Sequence, residues 1–87
     1  VNTDDKSTTV PQVTFYTKAG CHLCDEAREM LEDIAVQMDY HLTEIDIRRD
    51  SAIFERYRYR IPVIIINETL TLEGRIEYSE LAHAFQM

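Results

Sequence analysis

Cys21 and Cys24 are the only cysteines in the chain, and they stand as Cys21-His22-Leu23-Cys24 between a short apolar run and a long helical one. Two thiols separated by two residues on the first turn of a helix can close a disulfide with little backbone movement. The first sulfur also meets unpaired backbone N–H groups and the positive end of the helix dipole, which favour a thiolate over a thiol. The chemistry this points to is reversible dithiol–disulfide exchange. Cys21, nearest the helix N-terminus, is then the nucleophile, and Cys24, one turn further in and expected to be shielded by packing, resolves the mixed disulfide. Such chemistry needs no bound metal or organic cofactor, only a reductant to reset the pair.

Other uses of two cysteines have to be weighed against this one. The same spacing is half of a zinc site, but His22, His41 and His83 do not form a second pair at ligand spacing. A metal or iron–sulfur module would need ligands from outside the chain to join the Cys21 thiolate. A redox-inert interaction domain would leave the dithiol without a task. Two thiols that merely pack in a core have no reason to lie together at a helix start.

Composition narrows the setting. Eighty-seven residues with 45% hydrophobic content suit one small domain, which buries only about 60–65% of its unfolded surface. A disulfide closing so short a loop adds little through chain entropy, so redox work explains the pair better than stapling. Two cysteines are also too few for a disulfide-built secreted scaffold, which agrees with a reducing compartment and a cytoplasmic location. The net charge of −7, from 16 acidic and 9 basic residues, disfavours nucleic acid or an anionic membrane as partner. No apolar run approaches the roughly 18 residues of a membrane span, and nothing in the pattern demands more than a monomer.

The elements that must position the cysteines follow from periodicity. Residues 1–11 are polar and aperiodic and read as a flexible N-terminal arm, with the domain proper over 12–87. Val13-Thr14-Phe15-Tyr16-Thr17 has the β-branched and aromatic content of a strand, and Lys18-Ala19-Gly20 breaks it before Cys21. Leu23, Ala27, Met30, Leu31, Ile34, Ala35 and Met38 fall at steps of three and four and predict an amphipathic helix. His41 to Ile47 alternates as a second strand, so strand, helix and strand make a parallel crossover. Asp50 is placed to cap a short helix through Tyr57. Val63-Ile64-Ile65-Ile66, directly after Pro62, predicts a strand buried on both faces. Asn67-Glu68 turns the chain into a strand around Leu70 and Leu72, Gly74 ends it, and Tyr78, Leu81, Ala82 and Phe85 mark a closing helix.

With Cys-X-X-Cys at the first strand-to-helix junction and Pro62 before the third strand, the chain resembles a thioredoxin-fold protein, and more closely a glutaredoxin. Tyr16-Thr17-Lys18-Ala19-Gly20-Cys21-His22-Leu23-Cys24 is similar to the glutaredoxin active-site stretch, and Tyr59-Arg60-Ile61-Pro62-Val63 to the cis-proline stretch. The nearest likeness is to the small bacterial glutaredoxin-like group, long catalogued as a domain of unknown function, in which Gly-Cys-His-Leu-Cys is usual. The resemblance implies an α/β thioredoxin fold of order β-α-β-α-β-β-α, a four-stranded mixed sheet flanked by helices. It implies a thiol–disulfide oxidoreductase acting on disulfide-containing proteins or on glutathione mixed disulfides, with glutathione as co-substrate rather than bound cofactor. Lys18 takes the motif's thiolate-tuning position, and His22, when protonated, would act in the same sense. Pro62 is expected to lie cis against the dithiol, with Ile61 offering backbone hydrogen bonds to an extended substrate.

Arg56, Arg58 and Arg60 alternate with Tyr57 and Tyr59 just before Pro62, a local cationic stretch suited to the carboxylates of glutathione. Departures from the family bear on that ligand. Glutathione-using glutaredoxins carry Thr-Val-Pro, and later Gly-Gly followed by an acid; this chain has Arg60-Ile61-Pro62 and Gly74-Arg75-Ile76-Glu77. Gly74 alone keeps the glycine position, and Arg75 is wrong for an ammonium partner. Thioredoxin itself matches less well, since Gly20 and Phe15 occupy the places of its tryptophan and buried acid.

Overall fold

The computed structural model describes residues 10–87; residues 1–9 of the expected arm lie outside the described residues. The chain runs β1 (Gln12–Thr17), α1 (His22–Gln37), β2 (His41–Asp46), a 3-10 turn (Ile47–Arg49), α2 (Ser51–Tyr57), β3 (Val63–Ile66), β4 (Leu70–Glu73) and α3 (Tyr78–Ala84). The four strands form one mixed sheet in the order β2-β1-β3-β4. β1 pairs parallel with β2 and antiparallel with β3, and β3 pairs antiparallel with β4. The parallel pair is joined by the α1 crossover, as expected of two strands too far apart in sequence for a hairpin.

The alternation of side chains along β1 and β3 divides the core between the two faces of the sheet. On one face Val13, Phe15, Ile64 and Ile66 pack with Cys24, Ala27, Leu31 and Ile34 of α1 and with Ile76, Leu81 and Phe85. On the other, Val63 packs with Ile47 and Tyr57, and Tyr16, Ile53, Phe54 and Ile65 close around them. Ile61 touches both clusters and so sits where the two halves meet. The continuous apolar run of β3 is thus buried on both sides, as its sequence requires.

Local signals set the element ends. Asp50 caps α2, its carboxylate accepting from the N–H groups of Ala52 and Ile53 at 2.8 and 3.1 Å. Glu77 and Glu80 form a capping box at the start of α3. α1 begins at His22 with Cys21 as its N-cap. One boundary differs from the sequence reading. β2 ends at Asp46, and Ile47 turns into the second core cluster, because Asp46 accepts from the Arg48 N–H and starts a 3-10 turn. Most of β2 is exposed rather than alternately buried, since it is an edge strand with no helix over its outer half.

The β3–β4 connection carries its own strain. Asn67 and Glu68 both have positive φ, 53° and 62°, as a tight turn between twisted strands demands. Asn67 suits this and also binds β1, its Oδ1 accepting from the Gln12 N–H at 2.9 Å. Glu68 has no such compensation among the described hydrogen bonds, and a residue with a Cβ pays roughly 1–2 kcal/mol in this region.

Glu68→Gly should therefore stabilise the fold by about 0.5–1 kcal/mol, after the extra unfolded-state freedom of glycine is subtracted, read as a higher urea midpoint. Leu31→Ala, at a fully buried position of the α1–sheet contact, should cost about 3 kcal/mol. Val36→Ala, on the opposite side of α1 and 85% exposed, should stay within about 0.5 kcal/mol in the same denaturation series.

Candidate redox site

The site is assembled at the end of the sheet where β1 stops and β3 begins. Lys18, Ala19 and Gly20 leave the C-terminal end of β1, and Gly20, at φ 81°, reverses the chain into α1. Cys21 then caps the helix, and its sulfur accepts from the Cys24 N–H at 3.1 Å. Cys21 and Cys24 are joined as a disulfide, with their Cα atoms 5.1 Å apart, inside the range such a bond spans without backbone movement. The two sulfurs are unequal in access. Cys21 is partly exposed, whereas Cys24 is 0% exposed within the α1 cluster.

The other predicted positions converge on the same end. The Ile61–Pro62 bond is cis, and Pro62 is buried. Continuing the β1–β3 register one step places Pro62 opposite Thr17, and continuing the β3–β4 register places it opposite Gly74. The Gly74 N–H indeed donates to the Pro62 carbonyl at 2.9 Å. Ile61 donates its N–H to the Tyr57 carbonyl at 3.1 Å, so one of the two backbone groups it was expected to offer is already engaged.

The charged candidates are placed differently from what the sequence implies. The His22 ring lies out in solvent, 85% exposed, with Nε2 2.8 Å from Glu26, one turn along α1. Its first ionic partner is therefore a carboxylate. Asp25 is paired with Arg28 at 3.3 Å, and Arg28 also reaches Glu44 of β2 at 2.6 Å. The two acids of the first turn are thus both engaged with basic side chains. Lys18 is half-buried and makes no ion pair among the described residues.

Arg60 makes a two-pronged contact with Glu73 of β4, at 3.0 and 2.8 Å, and lies over the Tyr57 ring. That hydrogen bonding holds the Glu73 carboxyl below the usual carboxylate range. Arg60 is consequently already paired, so a ligand carboxylate there has to displace Glu73 from an exposed, solvent-screened contact. Arg58 lies between the rings of Phe54 and Tyr59 and pairs loosely with Glu55 at 3.5 Å. Arg56 meets only the Tyr57 ring and has no acidic partner among the described residues. Tyr57 in turn stacks on Tyr16, with ring centroids 4.2 Å apart, and burial beside that partner raises the Tyr16 hydroxyl above its ordinary pKa.

Among the described residues no three His, Cys, Asp or Glu side chains gather into a metal-binding group, and no helix is long and apolar enough to cross a membrane. One residue of the site was missed by the sequence reading. Thr17 is the single buried polar side chain among the described residues, 4% exposed, and its hydroxyl has no protein partner. The signal was present, because Val13, Phe15 and Thr17 share one face by simple alternation.

The Glutaredoxin-like domain (DUF836) family matches residues 12–86, and the chain belongs to that family. A glutaredoxin-like protein of Dictyostelium discoideum is 29% identical over 76 residues, covering 79% of this chain and 69% of its own. Two bacterial structures are 26% identical: one from X. campestris, with TM-score 0.71 over 85% of this chain and 95% of that one, and one from Nitrosomonas europaea, with TM-score 0.69 over 87% and 91%. A thioredoxin of Halobacterium salinarum superposes with TM-score 0.71 at 18% identity, over 97% of this chain and 80% of that one. The fold is the thioredoxin fold, and the Cys21–Cys24 pair at the start of α1 makes this a glutaredoxin-like protein with a redox-type site.

An unpartnered buried hydroxyl is a net cost to the oxidised fold. Thr17→Val, which keeps the side-chain shape, should raise the stability of the oxidised protein by about 1 kcal/mol. Calorimetry should record this as a melting temperature higher by roughly 4–8 °C.

Proposed function

We infer that this protein is a thiol–disulfide oxidoreductase that reduces protein disulfides or glutathione mixed disulfides. The observation that carries the reading is the inequality of the two bonded sulfurs: Cys21 part-exposed at the helix N-cap, Cys24 fully buried one turn in. In the reduced pair the Cys21 thiolate is stabilised by the N-terminal N–H groups of α1 and by the dipole of its 16 residues. It attacks one sulfur of a substrate disulfide, forming the Cys21–substrate bond and expelling the other sulfur as thiolate. Cys24, deprotonated, then attacks the Cys21 sulfur; the Cys21–Cys24 bond forms, the second substrate thiolate leaves, and two electrons have passed from the pair to the substrate. A dithiol reductant or two glutathione molecules reverse the exchange and restore the pair.

The substrate would lie along the end of the sheet formed by Ile61, Pro62 and Gly74, with the Ile61 carbonyl as a backbone acceptor. Lys18, next to the dithiol loop, and Arg75, next to Gly74, both without acidic partners among the described residues, are cations available to meet an anionic group, whereas Arg60 is held by Glu73. This favours glutathione as one of several thiols used over glutathione as a tightly selected ligand. A monomer working in a reducing, cytoplasmic setting fits the acidic composition and the absence of further cysteines.

Turnover of a small mixed disulfide, coupled to glutathione, glutathione reductase and NADPH, should fall to background in Cys21→Ser. Cys24→Ser should retain turnover of glutathione mixed disulfides, because glutathione itself can resolve them, and should lose reduction of protein disulfides. Unchanged activity in Cys21→Ser would sink the reading. No turnover by wild type in this assay, with activity restored by a thioredoxin reductase, would move the reductant and keep the chemistry.

A further inference from the structure

We propose that Thr17 is a positioning residue for Cys24, its hydroxyl hydrogen-bonding the Cys24 sulfur once the disulfide opens. This rests on the reading of the pair as redox-active. Thr17 is in phase with Val13 and Phe15, which pack in the same cluster as Cys24, while Tyr16 turns to the other face. It ends β1, four residues before Cys21, and the β1–β3 register puts it beside Pro62. Thr17 therefore stands at the active-site end of the face that receives Cys24.

The polar balance of that face changes with oxidation state. In the disulfide form the Cys24 sulfur is bonded to Cys21 and carries neither proton nor charge, and the Thr17 hydroxyl has no protein partner. Reduction adds two electrons and two protons across the pair and leaves a thiol at Cys24, a fully buried member of the apolar cluster between α1 and the sheet. A thiolate there, as needed for attack on the Cys21 sulfur, has to be desolvated without a charged partner, which is costly. Thr17 supplies the missing group, since a hydroxyl both accepts from S–H and donates to S⁻. The Thr17 hydroxyl, without a protein partner in the oxidised state, has its bonding capacity unspent for this role. Its bond stabilises the reduced form selectively and makes the pair easier to reduce than it would be with an apolar residue at this place.

The test is the equilibrium between the Cys21–Cys24 disulfide and dithiothreitol, measured in wild type, Thr17→Val and Thr17→Ser. Relief of the unpartnered hydroxyl in the oxidised form and loss of the hydrogen bond in the reduced form should together move the Thr17→Val equilibrium toward the disulfide by about thirtyfold. Thr17→Ser, which keeps the hydroxyl, should stay within about twofold of wild type on the same scale. A purely structural role would change the stabilities of both redox forms equally and leave this equilibrium where it was. The proposal is overturned if Thr17→Val stays within about twofold of wild type or moves toward the dithiol, or if Thr17→Ser shifts as far as Thr17→Val. Because the titration uses only the protein and dithiothreitol, it reads the Thr17–Cys24 relation even if the substrate assays defeat the oxidoreductase reading. Denaturation of oxidised and reduced Thr17→Val supplies a closed check, since the difference between their stability changes must equal the shift in the redox equilibrium.

Discussion

Cys24, Ala27, Leu31 and Ile34 form one dry stripe along α1, and that stripe is seated on Val13 and Phe15 of β1 and Ile64 and Ile66 of β3. The apolar area removed from water there, at about 25 cal/mol per Å², is the strongest force acting on the first helix. It also fixes the rotation of the helix about its axis. With Cys24 inside the contact, Cys21, three residues earlier, is carried to the helix mouth, where its sulfur meets the Cys24 N–H and remains partly open to solvent. The chemical inequality of the two cysteines is therefore a by-product of hydrophobic seating.

The active-site end of the sheet is held by backbone rather than by burial alone. Pro62 lies between Thr17 and Gly74 in register, and the Gly74 N–H ties β4 to the Pro62 carbonyl. Ile61, packed into both core clusters, anchors the loop that delivers the proline. These contacts bring residues from three separate stretches of chain to the rim of the disulfide. A thioredoxin only 18% identical superposes on the same fold, so the backbone arrangement is shared where little sequence is.

Charge plays a secondary part. His22 with Glu26, Asp25 with Arg28, and Arg60 with Glu73 are exposed pairs, and such pairs contribute little to stability. Their effect is on what remains free. Pairing engages the acids nearest Cys21 and takes Arg60 out of contention, leaving Lys18, Arg49, Arg56 and Arg75 as the lysine and arginine side chains without an acidic partner among the described residues. The arginine–tyrosine alternation before Pro62, which reads along the chain as a cationic patch, is in space largely an aromatic ladder with guanidinium groups laid against the rings.

Hydrophobic periodicity, the apolar run after Pro62 and the turn residues at Asn67 and Gly74 determined the order and kind of the strands and α-helices, though not the 3-10 turn at Ile47–Arg49, because helix and strand burial repeat at fixed intervals that a sequence displays directly. Cys21 and Cys24 likewise declared their chemistry, since the spacing of two thiols at a helix start is local. The partners of Arg60 and His22, the turning of Ile47 into the core, and the isolation of the Thr17 hydroxyl were decided by tertiary structure. Each depends on which side chains from distant segments arrive at the same place: Glu73 beside Arg60, Val63 and Tyr57 around Ile47, and whatever closes off the buried Thr17 hydroxyl without bonding it. Those meetings are set by strand register and by the seating of α1, and neither is a property of any short stretch of chain.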